Sequence, residues 1–204
     1  MIITVFNQKG GVAKTTTAVH LTRAAVLCNK KARPLLVDVD EQRAVAHYAK
    51  SLKHCCVEAM PSINAALFLR EAKSDLALLD CPPSYLDARP VLAVADLILI
   101  PMLPEPLALA ASLNTVEKLQ AEFPRTPIRV LLTMTTSAAD NRECRKDAQK
   151  VFGELLLPVA IVRHRSIRQA SDEGKTVFDF APDSPVAKQY LKVLQLLIQP
   201  PEKR

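Results

Sequence analysis

The segment that most constrains the fold of this chain is residues 7–16, which read NQKGGVAKTT. An apolar run, Ile2–Phe6, precedes this segment and is typical of a buried strand, and a helical pattern follows it. A strand, a glycine-bearing turn and then Lys14 and Thr15 at a helix start are typical of a phosphate-binding loop, because free backbone N–H groups converge there. We expect Lys14 to contact the β- and γ-phosphates of a nucleotide and the Thr15 hydroxyl to ligate Mg²⁺.

Apolar runs recur along the chain and alternate with helical patterns. The runs are short, continuous and rich in Val, Ile and Leu, as expected for strands buried on both faces of a parallel sheet. They are Ile2–Phe6, Leu35–Val39, Leu76–Leu79, Leu97–Ile100, Ile128–Leu132 and Val159–Val162. The helical patterns cover 15–29, 42–53, 62–72, 86–95, 107–122, 139–156 and 185–199. This alternation predicts a doubly wound α/β domain with a mostly parallel sheet, in which ligands bind beyond the carboxyl ends of the strands.

Length and composition favour one domain, residues 1–199, followed by a short polar tail, 200–204. A chain of 204 residues with 49% hydrophobic content can bury one sizeable core. The first residues lack the pattern of a secretion signal, and the most apolar segment, 91–103, is too short to span a bilayer. The five cysteines show no C-x-x-C spacing, so neither a disulfide framework nor a zinc site is indicated. We therefore expect a cytoplasmic protein.

Acidic residues follow two further apolar runs. Asp80 ends one of them and fits a carboxylate that holds Mg²⁺, often through a water molecule. Asp38 and Asp40 alternate along another run, so we expect their side chains on opposite faces and only one of them towards the nucleotide. In the alternative interpretation these carboxylates merely end a strand and cap the next helix.

The phosphate loop resembles that of the ParA/MinD family of deviant Walker A ATPases. The general pattern G-x-x-x-x-G-K-[ST] fails because Gln8 and Ala13 occupy its glycine positions, but KGGVAKTT resembles the family's K-G-G-x-G-K-[ST]. The resemblance implies an ATP-bound homodimer in which Lys9 reaches the phosphates of the partner subunit. The residues that it assigns to ATP are Lys9, Gly10, Gly11, Val12, Ala13, Lys14, Thr15 and Thr16. Ala13 departs from the family pattern, and its methyl group is expected to strain the turn or crowd the ligand.

The same resemblance assigns roles to the acidic residues. The sequence DVDEQ from Asp38 resembles the family's D-x-D-P-Q element, whose second carboxylate is associated with the attacking water, and DCPP from Asp80 resembles its D-x-P-P segment. The predicted catalytic residues are Lys9, Lys14 and Asp40, and the predicted Mg²⁺ ligands are Thr15, Asp38 and Asp80. Two further departures are Glu41 in place of a proline and Ala108 in place of an aspartate.

The basic C-terminal third raises the possibility of a nucleic-acid contact. The formal net charge is +6, and residues 142–204 hold twelve basic and eight acidic residues. The candidates for non-specific, salt-dependent contacts to DNA phosphates are Arg163, Arg165, Arg168, Lys188 and Lys192. A solvated charged face is the alternative. No helix-turn-helix region precedes the phosphate loop, so sequence-specific operator binding is not expected.

The resemblance thus implies a slow Mg²⁺-dependent ATPase that binds nucleoid DNA as an ATP-bound dimer. It would position a cargo such as a plasmid, a chromosome or a protein assembly, with a ParB-like or other small adaptor protein stimulating hydrolysis. Three alternatives stay open. The chain could be a nucleotide switch with negligible hydrolysis, a metabolic P-loop enzyme, or a membrane-positioning ATPase of the MinD type, which the proline-broken C-terminus disfavours.

Overall fold

A six-stranded sheet lies at the centre of the computed structural model, which describes residues 1–72, 74–137 and 139–198. The strands are β1 (Ile2–Val5), β2 (Leu35–Asp38), β3 (Cys56–Ala59), β4 (Ala77–Asp80), β5 (Leu97–Met102) and β6 (Ile128–Leu132). Their spatial order is β3-β2-β4-β1-β5-β6, and every neighbouring pair is parallel. The chain builds the sheet first to one side of β1 and then to the other, so the loop after β1 lies where a doubly wound sheet opens a crevice.

Helices cover both faces of the sheet. They are α1 (Lys14–Cys28), α2 (Ser62–Glu71), α3 (Tyr85–Leu92), α4 (Pro106–Glu122), α5 (Ala139–Phe152), α6 (Arg165–Asp172), α7 (Val177–Phe180) and α8 (Pro185–Ile198), with short 3-10 helices at Ala44–Tyr48 and Gly153–Leu155. Successive strand residues enter opposite layers. Val37 and Leu79 pack towards α2–α5, whereas Leu36 and Leu78 pack towards α1 and α6–α8. Burial on both faces explains why the strands read as continuous apolar runs.

The α/β fold predicted from the sequence is confirmed, but two of the predicted elements are wrong. Residues 159–162 are not a strand. The segment makes only scattered contacts with β6: the Leu157 N–H donates to the Val130 carbonyl and the Ile161 N–H to the Leu132 carbonyl. Four residues of this segment thus stand against two of β6, so a regular ladder does not form, and the described bridges are isolated ones between Leu156 and Val130 and between Val162 and Thr135. The helix predicted over 42–53 is only the five-residue 3-10 helix.

Other differences are additions or shifts of boundaries. The edge strand β3 was not predicted, because all four of its residues are exposed. Helices α6 and α7 were missed as well. The helix predicted over 139–156 ends at Phe152, where Gly153 adopts a left-handed φ of +52° and the chain tightens into a 3-10 turn. The end of the last predicted helix, residue 199, and the predicted tail 200–204 lie outside the described residues.

No helix among residues 1–72, 74–137 and 139–198 is long and apolar enough to cross a membrane.

Candidate functional site

The phosphate loop is fastened to the centre of the sheet by a buried asparagine. The side-chain amide of Asn7 donates hydrogen bonds to the Pro101 carbonyl at 2.9 Å and to the Ser112 hydroxyl at 3.0 Å. Its carbonyl oxygen accepts a hydrogen bond from the backbone N–H of Lys9 at 3.0 Å. Further along, the Thr133 hydroxyl donates to the Val12 carbonyl at 3.2 Å. These contacts hold the backbone of the loop from β5, α4 and the end of β6.

The phosphate loop leads directly into a helix whose N-terminus is uncapped. Helix α1 begins at Lys14, no side chain caps it, and its first turn carries no acidic residue. Its first N–H groups and the positive end of the helix dipole therefore face the loop without a protein partner, which is the arrangement that binds phosphate. Gly10, Gly11, Thr15 and Thr16, predicted to bind ATP, lie in or directly after this turn.

Ala13, at the N-cap, has a φ of +68° and a ψ of +35°, which is the left-handed conformation. Three non-glycine residues in the described ranges have a positive φ: Ala13, Arg43 and Met134. All three lie just beyond carboxyl ends of strands, in the loops after β1, β2 and β6. Backbone strain of this kind is typical of binding sites. The expectation that alanine strains the turn therefore agrees with its backbone angles.

Lys14 is buried beneath the loop, with 8% of its surface exposed. Its ammonium group donates a hydrogen bond to the carbonyl of Lys9 at 3.2 Å. Burial lowers the pKa of Lys14, while the negative charges of Asp80 and Asp40 act in the opposite direction. The cation thus lies between the loop backbone and the carboxylates, which is where a bound phosphate would meet it.

The Asp80 carboxylate is buried next to this cation. Among the described residues neither of its oxygens has a hydrogen bond of standard geometry, although the Thr15 hydroxyl lies close enough to stabilise the charged form. Burial raises the pKa of Asp80 to about 7, and Asp38 and Asp40 raise it further, while the Thr15 hydroxyl and Lys14 oppose the shift. A buried carboxylate without a partner is energetically unfavourable, so this group is suited to receive a cation from a ligand.

Asp38 and Asp40 are arranged differently from the sequence expectation. Strand β2 ends at Asp38, and Asp40 lies in the following turn, so the two do not alternate along a strand. The backbone of Asp38 is in register with that of Asp80 on the neighbouring strand, and the charges of both Asp38 and Asp40 raise the pKa of Asp80. The expected alternation along one strand is therefore wrong, and which of the two carboxylates faces the nucleotide stays a prediction.

The contacts of Asp38 also support part of the structural alternative. Its two oxygens accept hydrogen bonds from the backbone N–H groups of Asp40 at 3.1 Å and Val45 at 3.2 Å. Burial raises its pKa, and these two N–H groups and Arg43 oppose that effect. Asp38 thus fixes the loop that carries Asp40. Among the described residues, the carboxylate of Asp40 accepts only a local bond, from the Gln42 N–H at 3.0 Å.

The residues present fit a magnesium ion that arrives with a nucleotide. Within the described ranges, no group of three His, Cys, Asp or Glu side chains could hold a metal on its own. Mg²⁺ commonly takes only one or two protein oxygens and completes its shell with phosphates and water. The unpartnered carboxylate of Asp80 and the hydroxyl of Thr15 provide such oxygens at the phosphate loop.

A cavity of about 640 Å³ opens beside the loop. Ala13 and Thr16 form one wall, Thr133 and Met134 another, and the buried rings of Tyr48 and Tyr190 lie at its base. These last four residues were not singled out from the sequence. Thr133 and Met134 directly follow β6, so the rule that ligands bind beyond strand ends would have found them.

Three of the five predicted DNA-contacting residues border the same cavity. They are Arg163, Arg165 and Arg168, which are exposed and lie before and within α6. The other two, Lys188 and Lys192, are exposed on α8 and do not line it. The arginines and the phosphate loop therefore share one cavity.

One wall of the cavity is locked to the helix that follows the phosphate loop. The Val177 N–H donates to His20 Nε2 at 3.1 Å, while His20 Nδ1 lies 2.7 Å from the Thr16 carbonyl. The ring of His20 also stacks on Tyr190 with centroids 4.7 Å apart. Because Nε2 accepts a hydrogen bond, the ring is neutral with its proton on Nδ1, and burial lowers its pKa to about 4.

Lys9 is held by its own chain. Its ammonium nitrogen lies 3.6 Å from Oε2 of Glu105, in the loop before α4, with 30% of the Lys9 side chain and 56% of the Glu105 side chain exposed. This ion pair is weak because it is open to solvent. Lys9 can therefore exchange it for a stronger negative charge.

The sheet order, the loop and the carboxylate cluster together define a P-loop nucleotide-binding protein. The sequence profile of the CobQ/CobB/MinD/ParA nucleotide binding domain matches residues 3–177. The chain is 33% identical to the chromosome-partitioning ATPase Soj of Thermus thermophilus, over 95% of this chain and 93% of that protein. It is 34% identical to the maintenance of carboxysome distribution protein A of Gloeobacter kilaueensis, over 88% of this chain and 84% of that protein.

A solved structure agrees with this assignment at the level of the fold. The septum site-determining protein MinD of Pyrococcus horikoshii, complexed with Mg-ADP, superposes with a TM-score of 0.77, covering 97% of this chain and 96% of that one at 20% identity. The chain belongs to the CobQ/CobB/MinD/ParA nucleotide-binding family, and its relatives include partition ATPases. The resemblance inferred from the sequence is confirmed.

Proposed function

We propose that this chain is an ATPase that binds Mg·ATP, dimerises, binds DNA non-specifically and positions a cargo. The observation that carries the proposal is the buried, unpartnered carboxylate of Asp80 beside Lys14, at the start of an uncapped helix. The phosphate oxygens of ATP would accept hydrogen bonds from the free N–H groups of α1, and the positive charge of Lys14 would attract them. Mg²⁺, when bound, would neutralise charge on the β- and γ-phosphates. Thr15 and Asp80 would hold it, with Asp38 next to its shell.

The loop that carries Asp40 would catalyse hydrolysis. Its carboxylate would orient the water that attacks the γ-phosphate, and ATP and water would become ADP and phosphate. Both oxygens of Asp38 brace this loop, although Glu41 replaces the usual proline. We expect slow turnover until a ParB-like or other small adaptor protein stabilises the loop.

The nucleoside would occupy the cavity of about 640 Å³ beside the loop. Met134, Val162 and Ile167, which are partly exposed, offer apolar surface for a base. The arginines that border the cavity would then sense the nucleotide and contact DNA phosphates at its rim. This position would make DNA binding depend on ATP.

Dimerisation would complete each site. Lys9 would leave Glu105 and contact the phosphates bound by the partner subunit, which carry far more negative charge than one exposed carboxylate. The relatives support a role in positioning, since one is a chromosome-partitioning ATPase and another maintains carboxysome distribution. We propose a protein of the cytoplasm that associates with the nucleoid when ATP is bound.

The decisive experiment measures phosphate release from Mg·ATP in the presence of duplex DNA and the cognate adaptor. The wild-type protein should turn over, Asp40→Ala should bind ATP without turnover, and Lys9→Ala should stay monomeric with ATP in light scattering. A Lys9→Ala variant that dimerises and retains DNA like the wild type would refute the sandwich dimer.

The second candidate is a nucleotide switch with negligible hydrolysis. The left-handed backbone of Ala13 favours it, because strain beside the phosphates could prevent the geometry for attack. ATP-dependent dimers with no phosphate release, even with DNA and adaptor, would establish the switch. Sedimentation with liposomes only in the presence of ATP would instead indicate a membrane-positioning protein.

A further inference from the structure

The 3-10 helix at Ala44–Tyr48 lies against the C-terminal end of α6. His47 Nε2 donates a hydrogen bond to the Ser171 carbonyl, and the Tyr48 hydroxyl donates to the Ser171 hydroxyl at 3.1 Å. The ammonium group of Lys50 donates to the Glu173 carbonyl at 3.3 Å. Side-chain donors of this kind satisfy carbonyls at the end of a helix. We call the contacts of residues 47, 48 and 50 with residues 171–174 the clamp.

The clamp includes a close contact between the two backbones. Gly174 has a φ of +67°, and a Cβ atom there would lie 2.7 Å from the His47 carbonyl oxygen. Glycine is therefore the residue that allows this approach. Just beyond the clamp, the Thr176 N–H donates to the hydroxyl of the buried Ser51 at 2.8 Å. The 3-10 helix and the end of α6 are thus held together as one unit.

The other end of the 3-10 helix is joined to the loop that carries Asp40. The Val45 N–H donates to the Asp38 carboxylate at 3.2 Å. The Arg43 N–H donates to the Asp40 carbonyl at 3.1 Å, and Arg43 has a left-handed φ of +52°. A 3-10 helix of five residues is too short to fix this strained loop by itself, because its own hydrogen bonds have poor geometry. The clamp therefore supports the helix on the side away from the loop.

We propose that Tyr48 and Ser171 are positioning residues for Asp40 in ATP hydrolysis. The inference rests on the proposed function, in which the Asp40 carboxylate orients the attacking water. Tyr48 and Ser171 act on that water only through the 3-10 helix and the loop. Their hydrogen bond is partly buried and joins residues 123 positions apart, so its loss would let the helix and the loop shift together. A shift of about 1 Å can lower a rate on the order of a hundredfold, so a fraction of that shift suffices for an effect of about tenfold.

The clamp lies between the parts of the site that would hold the two ends of ATP. Tyr48, Ser171 and Asp172 line the cavity proposed for the nucleoside. At the other end, the charge of Asp40 raises the pKa of Asp80 beside the phosphate loop. A nucleoside in the cavity would contact one side of the clamp while the γ-phosphate lies near Asp40. Loss of the clamp should impair hydrolysis and spare ATP binding, because none of its residues belongs to the phosphate loop.

The test is steady-state phosphate release by the full chain with Mg·ATP and duplex DNA, with and without the cognate adaptor. We expect Tyr48→Phe and Ser171→Ala each to lower kcat about tenfold and to change KM for ATP by less than about twofold. The double variant should match the single variants, because all three lack the same hydrogen bond. Ser171→Thr keeps the hydroxyl, so its kcat should stay within about twofold of the wild type.

The matched control is Tyr85→Phe, which removes a hydroxyl that donates to Glu122 between α3 and α4, and its kcat should equal that of the wild type. Hydrogen exchange of the nucleotide-free proteins, followed by mass spectrometry, measures the mechanical link without hydrolysis. Peptides covering residues 39–52 should exchange about fivefold faster in Tyr48→Phe and Ser171→Ala than in the wild type. In Tyr85→Phe they should exchange at the wild-type rate.

A wild-type kcat in both Tyr48→Phe and Ser171→Ala would overturn the proposal, as would a loss of the same size in Tyr85→Phe. A higher KM for ATP without a lower kcat would also overturn it, because the two residues would then bind nucleotide instead of positioning Asp40. A wild type that releases no phosphate would refute the proposed function. Equal exchange of residues 39–52 in the wild type and all three of these variants would instead overturn the clamp itself.

Discussion

Protonation of His20 should unfold the wall of the nucleotide cavity. The imidazole is 1% exposed and joins α1 to the start of α7, with Nδ1 facing the Thr16 carbonyl and Nε2 accepting the Val177 N–H. A second proton must go on Nε2, where it would face an N–H group instead of a lone pair. Burial and this geometry explain why the folded pKa is about 4, below the ordinary value of 6.5.

The magnitude follows from these two pKa values. Between pH 6.5 and 4 the unfolded chain carries a proton on His20 that the folded chain does not, so the stability contributed by the neutral ring is complete above pH 6.5 and falls as the pH decreases. The whole window of about 2.5 pKa units corresponds to roughly 3 kcal/mol, and about 2 kcal/mol of it is lost between pH 7 and pH 5.

The assay is urea unfolding of the wild type and His20→Gln at several pH values from 7.5 to 4.5. The glutamine side chain does not titrate, so the difference in unfolding free energy between the two proteins should shrink by about 2 kcal/mol from pH 7 to pH 5. Asp80 is present in both proteins, so taking the difference between their unfolding free energies removes its contribution. Its raised pKa would otherwise increase stability as the pH falls, opposite to His20. The exposed His54, changed to Gln, is the control. A difference that does not vary with pH would refute the reasoning.

Four further substitutions test the site and its supports, the fourth as the control for the third. Asp80→Asn should stabilise the nucleotide-free protein by on the order of 2 kcal/mol and remove the Mg²⁺-dependent part of ATP binding, measured by thermal unfolding with and without Mg·ATP. Glu105→Gln should release Lys9 and strengthen ATP-dependent dimerisation by less than about fivefold in light scattering, since an exposed pair contributes under about 1 kcal/mol. Gly174→Ala should cost about 2 kcal/mol or more in urea unfolding, because its φ is +67° and a Cβ would lie 2.7 Å from a carbonyl of the 3-10 helix. Gly153→Ala, with a φ of +52° and open space, should cost roughly 1 kcal/mol, and an equal loss in both would contradict the clash.

Much of the fold could be predicted because buried parallel strands have a plain signature. Five of the six predicted runs are strands to within about two residues, since both faces of each strand must be apolar. The edge strand β3 has no such signature, as its residues are exposed, and its pairing depends on β2 alone. Apolar residues at 159–162 gave the opposite error, because apolar composition does not show that the backbone bonds of this segment to β6 are irregularly spaced.

The parts of the site that could be predicted are the ones in which a chemically suitable side chain directly follows a buried strand. The phosphate loop and Asp80 each follow a buried run, and the structure brings Lys14 and Asp80 together. The position of Asp40 in a turn was not predictable, because it depends on where β2 ends. The residues of the cavity wall could not be predicted from the sequence either. They come from distant segments that are joined by hydrogen bonds such as that from the Val177 N–H to His20.

Calorimetric titration with Mg·ATP tests the central claim most directly. We predict that the wild type binds Mg·ATP at one site per chain, despite the left-handed Ala13, and that Lys14→Ala does not bind. Ala13→Gly should bind at least as tightly as the wild type, because glycine adopts this conformation without strain. No detectable heat from the wild type, or equal binding by Lys14→Ala, would contradict the assignment of residues 7–16 as a nucleotide-binding loop.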